Sequence, residues 1–431
     1  MSIPLDRLYH FIEDIAKEIN DNIIIYRFYP HGEKNRDNLQ ELNGPILWKE
    51  RALSIPVYCH DQEPLDYELY QNITKNYKLR NILKSLSMEL SMYSDRNLMH
   101  QPTIYNKTCL LHSEKRSTNL TTYQTNECVD VYYWSHALMA LDWFRFAEHT
   151  TQKKQVDKLF LIYNRAWCGT REYRLKFLDL LVELGLENYC QTSVNPVEPD
   201  LGIHYKIHKF KNPRWCPISS LENFFPINTA QSHYSADFDL NDYESTNIEV
   251  VLETLFDDSR LHLTEKSLRP IACGQPFIIA GTYGSLEYLR SYGFKTFGGI
   301  WDESYDTIEN SEERLFAITN LMKTISQWTP KEKITKLINA QEISDYNRRH
   351  FFNKEFVNQI MAELKTNLTS GLNQIINEFD VKPFVERWEK LLTYKEINSC
   401  LESESDLRNP TLSQVTAVLQ IAKRLQTNRT N

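Results

Sequence analysis

The segment Arg260–Asp306 reads RLHLTEKSLRPIACGQPFIIAGTYGSLEYLRSYGFKTFGGIWDESYD. The chain has only 12 glycines in 431 residues, and six of them fall within the 26 residues from 274 to 299. Glycine is favoured where the backbone turns with positive φ or where another group approaches closely. The concentration of glycine therefore indicates a series of tight turns in this segment.

The same segment predicts alternating helices and strands. Thr264 is a candidate N-cap for a short helix that begins at Glu265 and ends near Gly274. The elements that follow are a strand over 275–280 (QPFIIA), a tight loop over 281–285, a helix over 286–292 and a short strand over 295–297. Strand, glycine loop, helix and strand form the βαβ unit of a parallel sheet, which binds ligands at the carboxyl ends of its strands.

The composition is that of a globular protein. Its apolar fraction of 41% and aromatic fraction of 12% are sufficient for packed cores. The net charge of −8 argues against a basic surface that coats nucleic acid, although a local basic groove remains compatible with it. No run of about 18 apolar residues predicts a membrane-spanning helix. The charged N-terminal segment lacks the apolar centre of a secretory signal.

The eight cysteines are scattered and include no CxxC pair or zinc-site spacing. This distribution is typical of free thiols in a reducing compartment, so we expect a cytoplasmic protein.

The first 150 residues repeat one pattern, in which an apolar strand ends in polar residues and a helix follows. Strands are predicted over 22–28, 55–59, 108–111 and 129–133, and helices over 4–20, 67–92 and 135–148. A second unit begins with a strand at Lys158 and a helix over 171–184, which Thr170 is expected to cap and Gly185 to end. Another strand is predicted over 247–252, before the glycine-rich segment.

We therefore expect an α/β protein with two Rossmann-like parallel-sheet domains facing a cleft. The predicted domains are 1–152 and 153–328. A helical extension follows over 329–431, with helical pattern to about 394 and one further helix over about 412–425. This extension either crosses back onto the first domain or forms an interface.

The second predicted domain carries features that suit a diphosphate. Arg165 follows a strand, Arg171 and Arg174 open the next helix, and Lys266 lies in a first helical turn. The loop 281–285 offers backbone N–H groups at a helix start, which favour an anion. The alternative for Arg171 and Arg174 is a solvated helix face.

The stretch TEKSLRPIACGQPFIIAG resembles the donor-binding segment of GT-B glycosyltransferases, and is most similar to the fucosyltransferase type. The resemblance implies that the domain 153–328 binds a nucleotide-sugar donor and that the domain 1–152 lies on the acceptor side. It also implies that Glu265 contacts the sugar or ribose of the nucleotide-sugar and that Lys266 contacts its diphosphate. Arg165 occupies the place of a basic residue that such enzymes carry. The predicted donor-binding residues are Arg165, Arg171, Thr264, Glu265, Lys266, Gly281, Thr282, Tyr283, Gly284 and Ser285.

The continuation SLEYLRSYGFKTFGGIWDESYD departs from the fucosyltransferase pattern. It resembles a group of uncharacterised phage-borne glycosyltransferase-like proteins. A phage-encoded enzyme is expected to act in the host cytoplasm.

Inverting glycosyl transfer needs a base to deprotonate the acceptor hydroxyl. Asp61 and Glu63, in HDQEP directly after a predicted strand, are the candidate catalytic residues, with His60 and Glu114 behind them. Each of these carboxylates is equally compatible with a cap or turn role. A retaining mechanism requires no such base.

Two acidic groups are candidates for other roles. Asp237 and Asp239 form a DxD, which binds a metal in another glycosyltransferase fold, but they lie in an irregular stretch with no strand before it. We interpret them as an ordinary loop and predict no metal site. The cluster Asp302, Glu303 and Asp306 either faces donor hydroxyls or lies at a helix start, which we favour.

The sequence therefore predicts transfer of a sugar from a nucleotide-sugar to an acceptor hydroxyl, with no further cofactor. The acceptor is open: it is a glycan, or a hydroxymethylated base in phage DNA. A second class is a non-catalytic nucleotide-sugar-binding or scaffolding protein, in which substitution of Asp61 and Glu63 would change nothing. A nucleotide-binding oxidoreductase is disfavoured because neither predicted domain has GxGxxG after its first strand.

Overall fold

The computed structural model describes residues 5–19, 23–28, 39–41, 53–60, 62–71, 103–104, 107–125, 128–149, 154–199, 201–227 and 237–377. These residues form two compact units, each built on one sheet. The first unit takes its described residues from 6–112, 119–133 and 362–377. The second takes Leu5, 113–118 and 134–361.

The first unit contains a six-stranded sheet with the order β2-β1-β3-β5-β6, in which β4 also pairs with β3. Its strands are β1 (Ile23–Phe28), β2 (Leu39–Glu41), β3 (Leu53–Cys59), β4 (Thr103–Ile104), β5 (Thr108–His112) and β6 (Cys128–Tyr132). All the pairings are parallel except that of β1 with β2. The four predicted strands are confirmed, whereas the short strands β2 and β4 were not predicted.

Helices cover this sheet with their apolar residues. They are α1 (Leu5–Ile19), α2 (67–71) and α3 (Leu120–Thr125), together with the second half of α11 (Lys354–Asn377). Leu8, Tyr9, Ile12, Ile15 and Ala16 of α1 are buried, which is the helical spacing that the sequence predicted. The five residues of β5 are all buried, as expected of a central parallel strand.

The second unit contains a four-stranded, wholly parallel sheet with the order β10-β9-β7-β8. Its strands are β7 (Lys158–Ile162), β8 (Cys190–Thr192), β9 (Thr246–Leu252) and β10 (Phe277–Ala280). Its helices are α4 (Ser135–Trp143), α5 (Tyr173–Glu183), α6 (Leu240–Ser245), α7 (Glu265–Cys273), α8 (Ser285–Ser291), α9 (Ser311–Ser326), α10 (Pro330–Phe351) and the first half of α11. The chain is therefore α/β with two sheets of mainly parallel strands.

Two local predictions in this unit are wrong. No strand forms over 295–297, because the N–H of Lys295 donates to Asn347 and that of Phe297 donates to Glu303, so both are used by side chains. Thr170 does not cap α5. It lies in a single 3-10 turn (Gly169–Arg171), and the residue before α5 is Glu172, which makes no capping hydrogen bond.

The predicted ends of several helices are confirmed. Gly185, Gly274 and Gly293 follow α5, α7 and α8 with φ values of +68°, +68° and +88°, which glycine adopts without strain. Pro330 begins α10, and Asn353 lies between α10 and α11. The prediction of helix to 394 is confirmed as far as Asn377, and the later helices lie outside the described residues.

Other predictions concern the chain as a whole. The domain boundaries at 152 and 328 stay predictions. Seven cysteines in the described part of the chain are free thiols. Within that same part, no helix is long and apolar enough to cross a membrane.

Candidate functional site

The N-terminus of α7 lies at the carboxyl end of β9, where Glu253 connects the two elements. The fully buried carboxylate of Glu253 accepts hydrogen bonds from the Thr264 N–H (3.0 Å), the Thr264 hydroxyl (2.8 Å) and the Ser267 hydroxyl (2.6 Å). It also accepts one from the N–H of Thr254 (3.1 Å). Glu253 therefore fixes the backbone from which the first turn of α7 begins.

Thr264 is the N-cap of α7, as predicted, and its hydroxyl accepts from the N–H of Lys266. Glu265 and Lys266 follow in the first turn, where the positive end of the helix dipole favours negative charge. This turn brings together three of the predicted donor-binding residues.

Glu265 lies between two cationic or protonatable side chains. Its Oε1 is 2.8 Å from Nζ of Lys266, and its Oε2 is 3.2 Å from Nδ1 of His136. Burial by itself raises the pKa of Glu265, but the charge of Lys266 and the hydrogen bond and charge of His136 outweigh it, so the pKa lies well below 4.5. Glu265 is thus a buried, ionised carboxylate.

Lys266 makes further contacts through the same ammonium group. Its Nζ lies 3.2 Å from the hydroxyl of Thr264 and 3.3 Å from that of Thr254. These contacts of the ammonium group with neutral hydroxyls are longer than an ordinary hydrogen bond between an ammonium group and a carboxylate. Only 9% of Lys266 is exposed, and only 2% of Glu265.

A second histidine lies beside this group. The ring of His262 is 5.0 Å from that of His136 at a near-perpendicular angle, and its Nδ1 is 3.0 Å from the hydroxyl of Ser113. Ser113 reaches this position because Lys115 and Leu261 form an antiparallel bridge with two backbone hydrogen bonds of 2.8 Å. The arrangement is a buried chain of serine, two histidines, a carboxylate and an ammonium group.

The candidate bases lie in different surroundings. Glu114 is buried, 3.4 Å from the guanidinium of Arg260, so it is an ion-pair partner. Glu63 is half-buried and His60 is buried, both within the unit of the six-stranded sheet. Burial lowers the pKa of His60 to about 4, against the charges of Glu63 and Asp66. Asp61 lies outside the described residues.

The start of α8, which follows the loop 281–285, is bonded to Asp306. The carboxylate of Asp306 accepts from the N–H groups of Leu286 (3.0 and 3.1 Å) and Glu287 (3.3 Å), while the backbone oxygen of Asp306 accepts from Gly284 (2.7 Å). The start of α8 is therefore held by a carboxylate of the same chain. The N–H groups of Gly284, Leu286 and Glu287 are therefore bonded within the chain, and a contact of the loop 281–285 with a donor stays a prediction.

The side chains of the loop are also used internally. The hydroxyl of Thr282 donates to the backbone oxygens of Leu255 and Arg260, and that of Ser285 donates to Thr282. The remaining predicted loop residues make internal contacts as well: Gly281 accepts from Arg314, and Tyr283 lies under the guanidinium of Arg116, 4.0 Å from ring centroid to Cζ.

The predicted arginines have different roles. The buried guanidinium of Arg174 donates to the backbone oxygens of Ala166, Leu252 and Glu253, so it braces the strand ends and is not a solvated helix residue. Arg165 and Arg171 are half-buried. Both remain candidates to contact a ligand.

The acidic groups are explained by local structure. Asp239 caps α6 by accepting from Asn241, as in an ordinary loop-to-helix junction. In the cluster of Asp302, Glu303 and Asp306, only the carboxylate of Asp306 bonds to a helix start, that of α8. Asp302 accepts from Ser304, and Glu303 accepts from Thr296 and Phe297. In the ranges that the structure describes, no three His, Cys, Asp or Glu residues are grouped to hold a metal ion.

Sequence reasoning did not single out Glu253, Ser113 or His262. Glu253 and Ser113 each follow an apolar strand directly, which is the signal that selected Asp61 and Glu63. His262 has no comparable signal, because its partner Ser113 lies 149 residues away.

Comparison of the chain with protein-family models, with curated proteins and with solved structures finds no match.

Proposed function

We propose that this protein is a glycosyltransferase of the GT-B class, which moves a sugar from a nucleotide-sugar to an acceptor hydroxyl without an essential metal. The observation that carries the proposal is the Glu265–Lys266 pair in the first turn of α7, at the carboxyl end of β9. A parallel sheet presents its ligand site at this end.

Lys266 is proposed to neutralise the leaving diphosphate. Departure of a nucleoside diphosphate develops negative charge, which a fixed cation and a helix N-terminus stabilise. The hydroxyls of Thr254 and Thr264 are weak partners for the ammonium group, at 3.3 and 3.2 Å. Phosphate oxygens are stronger acceptors and would replace them.

Glu265 is proposed to accept hydrogen bonds from hydroxyls of the donor sugar or ribose. Its low pKa keeps it ionised, and an ionised carboxylate only accepts hydrogen bonds. His136 fixes the second oxygen of the carboxylate at 3.2 Å. Because Lys266 is the more exposed of the pair, the proposal requires the ligand to reach the pair from its side.

The finer assignments rest on the sequence. Arg165 and Arg171 are proposed as further contacts of the diphosphate, and Glu63 or Asp61 as the base of an inverting reaction. The acceptor is proposed to be a hydroxyl on a glycan.

The test is a thermal-shift panel of nucleotides and nucleotide-sugars, with and without a chelator. We expect one nucleotide-sugar to stabilise the wild-type protein in both conditions. A ligand at 100 times its Kd contributes about 2.7 kcal/mol. Lys266→Met, which keeps the length of the side chain, is expected to lose this response.

The matched control is Lys176→Met. Lys176 forms an ion pair with Asp179 at 2.7 Å within α5, so its substitution also removes a lysine and leaves a carboxylate without that partner. The control is expected to keep the ligand response. If no nucleotide or nucleotide-sugar stabilises the wild-type protein, the Glu265–Lys266 pair is a structural ion pair of α7 and the proposal is wrong.

A further inference from the structure

A cleft lies in the second unit, between the loop 298–305 and the helices α9 and α10. Its volume is about 530 Å³, within the range of roughly 300–1,000 Å³ that small-molecule sites occupy. None of its lining residues belongs to the group around Glu265 and Lys266. The cleft is therefore a separate concave site.

One wall is a stripe of side chains spaced four residues apart. Asn320 and Thr324 lie on α9, and Trp328 follows in the turn after it. This spacing places an amide, a hydroxyl and an indole ring in line along one side of the helix. Asn320 and Thr324 are exposed, and Trp328 is half-buried.

The opposite wall contains Trp301. Its ring stacks on Phe297, with centroids 4.7 Å apart and planes inclined by 23°, and only 5% of its surface is exposed. Its indole nitrogen is buried and has no hydrogen-bond partner among the residues that the structure describes. A buried donor without an acceptor costs free energy. A ligand oxygen brought to this nitrogen would offset that cost.

The charge of the cleft is balanced. Among its described lining residues the one acidic residue is Asp302, which accepts from the N–H and hydroxyl of Ser304, both at 2.9 Å. The one basic residue among them is Lys336, whose Nζ lies 4.5 Å from the ring centroid of Trp328, a cation–π contact. A cleft with a single, already engaged cation does not suit a phosphorylated ligand.

We propose that this cleft binds a neutral saccharide unit. A pyranose has apolar C–H faces, which pack on aromatic rings, and hydroxyls at its edges, which pair with amide, hydroxyl and carboxylate groups. The cleft offers both, with Trp328 as the ring and Asn320, Thr324 and Asp302 as the polar groups. This saccharide site goes beyond the proposed transfer reaction and does not depend on it.

The experiment is saturation-transfer-difference NMR of the full chain with maltose, cellobiose and N,N′-diacetylchitobiose as probes. We expect at least one disaccharide to bind, with a Kd on the order of 1 mM. Trp328→Ala is expected to weaken that binding at least about fivefold, through loss of the ring. Phe316→Ala is the matched control, because Phe316 is an exposed aromatic residue of α9 that does not line the cleft, and it is expected to leave binding unchanged.

Trp301→Phe provides a second variant in case Trp328→Ala perturbs the fold. It replaces the indole with the smaller phenyl ring, which keeps an aromatic ring but removes the N–H, and it is expected to weaken binding by about fivefold through loss of one hydrogen bond. Uridine diphosphate is added as a competitor. Absence of binding by all three disaccharides, binding unaffected by both tryptophan variants, or displacement by uridine diphosphate would each overturn the proposal, the last because it would assign the signal to the nucleotide site.

Discussion

The helices α7 and α8 begin beside neighbouring strands of the same sheet, and the sequence assigned both starts to one anion site. At α8 the N–H groups of Leu286 and Glu287 are bonded to the carboxylate of Asp306. At α7 the cap is the neutral hydroxyl of Thr264, and Lys266 adds a positive charge. The first N–H groups are thus capped by a carboxylate at α8 and by a hydroxyl at α7, where the carboxylates of Glu253 and Glu265 bond to Thr264 and Lys266 instead.

The carboxyl groups at the two helix starts also have pKa values shifted in opposite directions. Burial raises the pKa of Asp306 above 3.8, although its backbone N–H donors oppose the shift. Burial also acts to raise the pKa of Glu265, but Lys266 and His136 reverse the outcome and lower it. The sign of the shift thus depends on whether the nearby positive charges and hydrogen bonds outweigh the effect of burial, which they do at Glu265 and do not at Asp306.

The largest expected effect on stability comes from substitution of Glu253, whose carboxylate bonds to the start of α7. Glu253→Ala removes the acceptor of four hydrogen bonds and leaves buried donors at Thr264 and Ser267 without it. We expect the free energy of unfolding to fall by about 3 kcal/mol, measured by urea denaturation. Glu253→Gln keeps one acceptor oxygen, so its free energy of unfolding should lie between those of Glu253→Ala and wild type. A loss below about 1 kcal/mol would mean that α7 fixes its own start.

Asp306→Ala is expected to lower the free energy of unfolding by about 2 kcal/mol, because the first N–H groups of α8 lose their cap inside the protein. Urea denaturation measures this too. Asp302→Ala is the control, because the exposed Asp302 accepts, within the described part of the chain, only from Ser304, two residues away. Equal losses for the two variants would contradict the capping role of Asp306.

The opposite pKa shifts predict opposite pH dependences. The low folded pKa of Glu265 contributes stability above pH 4.5, which is lost as the pH falls through the folded value. The raised folded pKa of Asp306 means that the folded state takes up a proton more readily, so acid favours it. The stability advantage of wild type over Glu265→Gln should therefore shrink on acidification, whereas its advantage over Asp306→Asn should grow.

These differences are measured by urea denaturation at a series of pH values from about 7 to about 3.5. If the stability advantage of wild type changed with pH in the same direction for both variants, Glu265 and Asp306 would not have opposite pKa shifts.

The smallest effect is expected for the cap of α7. Thr264→Ala should cost about 1 kcal/mol, and Thr264→Ser a few tenths, because serine keeps the hydroxyl that accepts from Lys266. Asn310→Ala, which removes the cap of α9, is the matched control. If Thr264→Ala costs no more than Thr264→Ser, the hydroxyl contributes nothing to the helix start.

The fold was predictable where its signals are local. The helix over 265–273 follows from Thr264 and Gly274, and the parallel strands follow from apolar runs such as 247–252. The false strand over 295–297 has the right residues for a strand, but Asn347 binds its backbone from 52 positions further along the chain. A periodic pattern carries no information about such a distant side chain.

The residues of the candidate site were likewise predictable only where they are close in sequence. Thr264, Glu265 and Lys266 adjoin one another in sequence, so their grouping was found. The contact of Asp306 with Leu286 spans 20 residues and that of Ser113 with His262 spans 149, and both required the folded chain. The sequence therefore identified the turn of α7 but not the residues that surround it.

Gly371 of α11 lies so close to the six-stranded sheet that a Cβ atom there would be 2.6 Å from Cγ2 of Val131 in β6. Synthesis delivers β6 roughly 240 residues before this glycine, or about 10–50 s at ordinary translation rates. During that interval the part of the sheet that Gly371 covers has no partner from α11. The first unit therefore reaches its final packing only after most of the second unit has been synthesised, although β6 of the first unit is synthesised earlier.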